Sequence, residues 1–125
     1  MSALTRIAKA EAIAGAAIDL KAQDIVVLDV RNVLSFADTL ILATGTSDRH
    51  TRAIADAIEA RMLSHDERPL GSEGYDEGRW VLIDLTDVIV HVFLPEVREF
   101  YDLERLWSEA PMLTLAGVDA QTATR

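Results

Sequence analysis

The sequence predicts an α+β fold, a two-layer α/β arrangement in which a small mixed β-sheet carries its helices on one face. Two observations predict it. Apolar residues recur at helical spacing in two segments, and β-branched runs and a hairpin pattern lie between and after them. The 125 residues suit one domain with one core. We place this domain at residues 1–108 and expect a loosely ordered tail at residues 109–125.

The first half of the chain is assigned from periodicity and turn residues. Alanine and isoleucine at helical spacing predict a packing helix over residues 3–21. β-branched and near-continuous apolar runs predict strands over residues 24–30 and 37–44, the second in a central position. A helix follows over residues 48–63, and Thr46 or Ser47 is suited to cap its N-terminus.

The second half begins with a polar connection over residues 64–79, in which a short strand is expected around residues 69–72. Residues 80–85 and 88–94 then form a predicted hairpin. The last helix begins at Pro95, a residue favoured at the first helical position. Its spacing predicts four inward residues, with Tyr101 pointing to the side: Val97, Phe100, Leu103 and Trp107.

The hairpin is predicted to have two unlike faces. Pairing Leu85 with Val88 across Thr86-Asp87 sets the register. One face is then wholly aliphatic and should be core: Val81, Ile83, Leu85, Val88, Val90 and Val92. The other pairs Trp80 with Phe93, Leu82 with His91 and Asp84 with Ile89. We call these six residues, with Tyr101 at the rim, the Trp80 face. Its mixed apolar and acidic character predicts an open partner-binding surface.

The amino-acid composition excludes or disfavours several classes of function. With 21 acidic and 12 basic residues, the net charge is −9, which disfavours direct nucleic-acid binding and favours a basic partner. The absence of cysteine excludes disulfides and thiolate chemistry, and three scattered histidines predict no zinc site. No apolar run approaches a membrane span, and no signal or transit pattern is present. We therefore expect a cytoplasmic protein without membrane contact.

The turn from Thr44 to His50 offers an enzymatic alternative. A glycine and hydroxyls before a helix can bind phosphate through free N–H groups. A nucleotidyltransferase would also need two carboxylates alternating on one strand face to hold magnesium. Asp84 and Asp87 are three apart, and Asp87 lies in the hairpin turn. The sequence therefore predicts no catalytic residues, no metal site and no cofactor.

Four segments together resemble the ribosomal silencing factor family, also called the Iojap family. They are KAQDIVVLDV, ADTLILATGTSDRHTRAIADAIE, WVLIDLTDVIVHVF and REFYDLERLW, and they run from Lys21 to Trp107. The resemblance implies a fold with nucleotidyltransferase-like topology but without the catalytic carboxylates or the activity. Thr86 departs from the family, which usually has glycine at this position before Asp87.

The resemblance also implies a function. Such factors bind the large ribosomal subunit through its protein number fourteen, block joining of the small subunit and repress translation when nutrients are scarce. Homodimers are also known in the family. Three hypotheses stay open from the sequence: a ribosome-binding module, an enzyme that uses the Thr44–His50 turn, and a scaffold whose Trp80 face makes a homodimer.

Overall fold

The computed structural model describes residues 4–113 and 115. Within these residues, four helices and five strands follow one another. They are α1 (Arg6–Asp19), β1 (Gln23–Asp29), β2 (Thr39–Thr44), α2 (Asp48–Ser64), β3 (Gly71–Glu73), β4 (Trp80–Asp84), β5 (Val88–Phe93), α3 (Pro95–Tyr101) and α4 (Leu103–Leu106). The predicted elements are thus present, and the short strand expected in the polar connection is β3.

The five strands form one mixed sheet in the order β1-β2-β5-β4-β3. β2 and β5 are parallel, and the other neighbouring pairs are antiparallel. The parallel pair arises because α2, β3 and β4 lie between its strands in the chain, which is the long connection that parallel pairing requires. The prediction of an α+β fold with a small mixed sheet is confirmed.

The two long helices, α1 and α2, cover one face of the sheet. Four alanines on α1 are almost wholly buried, which lets this helix approach its neighbours closely: Ala10, Ala14, Ala16 and Ala17. The aliphatic face of the hairpin joins them in one core, as predicted. Its buried members there are Val81, Ile83, Leu85, Val88, Val90 and Val92. None of the helices within the described residues is long and apolar enough to span a membrane.

The hairpin register is the predicted one, with Trp80 opposite Phe93 and Asp84 opposite Ile89. The turn between the strands is unusual, because Thr86 has a φ of 77°. Its N–H donates to Asp84 Oδ1 at 2.9 Å, and Leu85 N–H donates to Val88 O at 2.9 Å. Burial of the aliphatic face specifies the register strongly enough to tolerate a β-branched residue in this conformation.

The predicted last helix is interrupted at Asp102, which is left-handed with a φ of 48°. Phe100, which lies in α3 before this break, is 79% exposed, so the prediction that Phe100 faces inward is wrong. Val97 and Leu103 are buried, but against the sheet face opposite α1 and α2. They form part of a second core that includes Leu28, Leu42 and Phe93. The expectation of helices on one face therefore holds for α1 and α2 but not for α3 and α4.

The start of the predicted tail packs against the edge strand β1. Asp29 N–H donates to Pro111 O at 2.8 Å, and Leu113 N–H donates to Val27 O at 2.7 Å. Leu115 is 3% exposed and belongs to the core under α1 and α2. The described part of the predicted tail therefore contacts the sheet edge at β1. The domain boundary at residue 108 stays a prediction. Residues 114 and 116–125 lie outside the described residues.

Candidate functional site

The Trp80 face is only partly open. Trp80, Leu82 and Asp84 on β4 are partly exposed, and Tyr101 on α3 is 54% exposed. On β5, Phe93 is fully buried, His91 is 6% exposed and Ile89 is 9% exposed. The expectation that this face is open along both strands is therefore wrong for the β5 residues. β5 lies between β2 and β4, where α3, α4 and the second core cover it.

Trp80 is held by contacts to three aromatic rings. Its indole Nε1–H donates to His91 Nδ1 at 2.9 Å. The Tyr101 ring lies 4.8 Å from the indole between centroids, and the Phe93 ring lies 6.0 Å away. The strand register produces this cluster, because Trp80 pairs with Phe93 and is diagonal to His91 on the same face.

The rim contains an aromatic residue that the sequence pattern did not assign to the surface. Phe100 is exposed, and its ring meets that of Tyr101 edge-on at 4.9 Å. The spacing predicted Phe100 as inward-facing on the assumption of one continuous helix. Asp102 was the available signal for a helix break, since aspartate is one of the few non-glycine residues that enter the left-handed region readily.

Two shallow depressions adjoin Trp80. One, about 220 Å³, lies between Trp80 and the Tyr101 side of α3 and includes Glu77. The other, about 290 Å³, lies beside Trp80 and Leu82 and includes Glu73. The second combines large apolar side chains with a carboxylate, which is the chemistry that suits the stem and head group of lysine or arginine. In the first, Arg79 also lines the depression and offsets the charge of Glu77.

The loop before β4 lies in close contact with the backbone of Trp80. Gly74 has a φ of 83°, and a Cβ built there would lie 2.0 Å from the Trp80 carbonyl oxygen. Only glycine fits this position without moving the backbone. The loop that follows Glu73 and carries Glu77 therefore lies closely against the start of β4.

Burial lowers the pKa of His91 to about 4. The unfolded chain therefore takes up a proton near pH 6.5, whereas the folded protein does so only near pH 4. We expect the contribution of His91 to the free energy of unfolding to be constant above pH 6.5. It should fall by about 3 kcal/mol as the pH drops to 4. Denaturant unfolding of the wild type and His91→Gln between pH 7 and pH 4 measures this. A loss of equal size in both proteins would contradict the assignment.

The Thr44–His50 turn is organised by its own internal contacts. Ser47 Oγ caps α2 by accepting from His50 N–H at 3.0 Å. Thr46 N–H donates to His50 Nδ1 at 2.9 Å, and His50 Nε2 contacts Leu20 O at 2.6 Å. Nδ1 must accept the Thr46 proton, so Nε2–H donates to Leu20. The histidine thereby joins the turn to the end of α1.

The surroundings of this turn oppose an anionic ligand. A cavity of about 570 Å³ beside it is lined by three carboxylates and one arginine: Asp48, Glu77, Glu96 and Arg79. Net negative charge there disfavours phosphate despite the positive helix end. Within the described residues, no cluster of three or more His, Cys, Asp or Glu could hold a metal ion.

Comparison with known proteins finds a family whose sequence pattern this chain matches. Residues 3–125 match the sequence model of a family described as "Ribosomal silencing factor during starvation". A relative from Bacillus subtilis, named ribosomal silencing factor RsfS, is 41% identical over 102 residues, 82% of this chain and 86% of the relative. A mouse relative, named mitochondrial assembly of ribosomal large subunit protein 1, is 33% identical over 106 residues, 82% of this chain and 43% of the relative.

A solved structure supports the same grouping. An X-ray crystal structure of a protein from Chromobacterium violaceum aligns with a TM-score of 0.79 at 37% sequence identity. The alignment covers 86% of this chain and 89% of that chain. Because a family match over nearly all residues, substantial identity and a common fold agree, the chain belongs to the ribosomal silencing factor family.

Proposed function

We propose that this chain binds the large ribosomal subunit through its protein number fourteen, using the Trp80 face. Bound there, it would block joining of the small subunit and repress translation under nutrient limitation. The protein would act in the cytoplasm, by steric exclusion and without catalysis. Family membership and the name of the mouse relative support association with a large subunit.

The observation that carries the proposal is the partly exposed Trp80, held by an internal hydrogen bond and two aromatic contacts. Tryptophan and tyrosine are enriched among the residues that contribute most to protein binding. A side chain that is already ordered loses little conformational entropy when a partner covers it. Trp80 and Tyr101 therefore have both the chemistry and the rigidity of a binding centre.

Charge supports a basic partner. The chain carries a net charge of −9, and Glu73 is the charged residue that lines the depression beside Trp80 and Leu82. In the depression toward Tyr101, Glu77 is accompanied by Arg79. Ribosomal proteins are basic because they lie on RNA, so complementary charge would speed encounter with such a surface. The same negative charge would repel exposed RNA and direct binding toward protein.

We expect Trp80→Ala and Asp84→Arg each to weaken binding to isolated large subunits by at least about tenfold. The first removes the central aromatic ring, and the second reverses charge at the edge of the Trp80 face. Co-sedimentation with large subunits over a range of protein concentrations measures the affinity. Phe36→Ala is the matched control for the aromatic change, because Phe36 is 67% exposed on the β1–β2 connection. Glu11→Arg on exposed α1 surface controls for charge reversal.

Two results would contradict this assignment. Failure of the wild type to migrate with large subunits in low salt would reject the function. Binding by the wild type that neither Trp80→Ala nor Asp84→Arg weakens would place the docking surface elsewhere. The alternative hypothesis is that the same face forms a homodimer. Light scattering of the wild type and Trp80→Ala over a range of concentrations tests it by measuring the molecular mass.

A further inference from the structure

His91 is a buried polar side chain next to a partly exposed aromatic one. It is 6% exposed and lies on the central strand β5, opposite Leu82 on β4. Its Nδ1 receives the indole N–H of Trp80 at 2.9 Å. An indole nitrogen can only donate, so His91 Nδ1 is unprotonated and the neutral ring carries its proton on Nε2.

The consequence for Trp80 is a defined orientation. Nε1 is the single polar atom of the indole, and it is already paired inside the protein. The exposed part of the ring therefore presents carbon atoms to the outside. The acceptor is fixed in turn, because His91 is buried and its ring lies 6.1 Å from the buried Phe93 ring.

We propose that His91 is a positioning residue for docking: by accepting the Trp80 indole proton, it holds that ring in the orientation that meets the partner. This inference rests on the proposed function, since it concerns the same surface. It adds that Trp80 contributes an apolar ring surface to the complex and no hydrogen bond. It also explains why a polar residue occupies a buried position on β5 where an aliphatic one would pack.

Geometry favours this role over a purely structural histidine. A histidine with a purely structural role could pair with any polar group nearby. His91 instead pairs with the single polar atom of Trp80, the candidate docking residue. Without the acceptor, the indole N–H would turn toward solvent for a partner. Binding would then require the ring to be ordered again, which costs affinity.

Two substitutions separate the hydrogen bond from the packing. His91→Leu fills the site without an acceptor, and His91→Gln keeps one. Indole ¹⁵N–¹H spectra report solvent exchange of the Trp80 N–H. The chain has two tryptophans, so the spectrum of Trp107→Phe identifies the Trp80 signal. Backbone amide spectra confirm that each variant is folded. His65→Leu is the control, since His65 is exposed at the end of α2.

We expect His91→Leu to accelerate exchange of the Trp80 indole proton and to weaken large-subunit binding about three- to tenfold. His91→Gln and His65→Leu should stay near wild type in both measurements. Unchanged affinity in His91→Leu, while Trp80→Ala binds weakly, would overturn the positioning role and leave the proposed function intact. Equal loss in His91→Leu and His91→Gln would also overturn it, because packing would then be responsible. Absence of binding by the wild type would reject the proposed function and the positioning role together.

Discussion

Replacing Lys9 with methionine is expected to lower the free energy of unfolding by about 3 kcal/mol. Lys9 is 4% exposed on α1. Its ammonium donates to Glu67 Oε1 at 2.9 Å, Leu85 O at 2.9 Å and Asp87 Oδ1 at 2.5 Å. All three donors are therefore used, and they join α1 to the end of α2 and to the β4–β5 turn.

The cost arises because the three acceptors lose the ammonium that they share. Methionine keeps most of the apolar stem but removes the cation from Glu67, whose side chain is 19% exposed, and from Asp87, whose side chain is 40% exposed. Leu85 and Asp87 flank Thr86, whose positive φ is unfavourable for a β-branched residue. Lys9 therefore also stabilises the turn on which the hairpin register depends.

Denaturant unfolding measures the effect, with Lys21→Met as the matched control, because Lys21 is exposed and loses the same charge. Burial disfavours the charged ammonium, but Asp87 and Glu67 outweigh it and hold the pKa of Lys9 above its usual value. The folded state thus binds this proton more strongly than the unfolded chain. The stabilisation should be complete below about pH 10 and lost as the pH rises further. Equal stability of Lys9→Met and Lys21→Met would show that the cluster contributes nothing.

Replacing Arg98 with methionine is expected to be comparably severe, at about 3 kcal/mol. Arg98 is 8% exposed on α3. Its Nε and Nη2 donate to the two carboxylate oxygens of Glu104 at 2.9 and 3.1 Å. Its Nη1 donates to Asp24 O at 2.6 Å and to Thr44 Oγ1 at 2.8 Å.

These contacts hold the C-terminal helices against the sheet. Arg98 joins α3 to α4 and to the adjacent ends of β1 and β2, and its guanidinium lies 5.6 Å from the Phe93 ring centroid. Arg98 pairs with Glu104 and not with Asp102 four residues on, because the left-handed Asp102 ends the helix. Loss of this network should loosen α3 and with it the contact of Tyr101 with Trp80.

Thermal and denaturant unfolding measure the stability of Arg98→Met, and large-subunit co-sedimentation measures its affinity. Arg105→Met is the matched control, since Arg105 is exposed on α4 and changes the net charge equally. We expect Arg98→Met to lose both stability and affinity and Arg105→Met to lose neither. An Arg98→Met protein as stable as the control would mean that apolar packing alone positions α3 and α4.

The hairpin was predictable because local signals agreed with one another. Strict alternation places every aliphatic residue of the hairpin on one face, and a shift of one residue would move them all to the other. The observed register pairs Leu82 with His91 as expected, despite Thr86 in the turn. The Thr44–His50 turn was predictable as a helix cap for a similar reason, since Ser47 acts over three residues.

Other features could not be obtained from local patterns. Arg98 contacts the backbone of Asp24 and the side chain of Thr44, which lie 74 and 54 positions away in the chain. Periodicity alone predicted one continuous helix and therefore misplaced Phe100. The Lys9 cluster joins residues 58 and 78 positions apart in the chain, for which sequence spacing contains no signal.

By itself, the sequence determined the order of the elements, the two unlike faces of the hairpin and the family, because these depend on short-range periodicity and on contiguous motifs. Only the tertiary structure decided how much of the Trp80 face is accessible. The packing of α3 and α4 buries Ile89, His91 and Phe93 and leaves Trp80 and Tyr101 at the surface. Burial is a property of the layer above a strand, and here that layer forms because α3 and α4, which follow β5 directly in the chain, fold back onto the sheet.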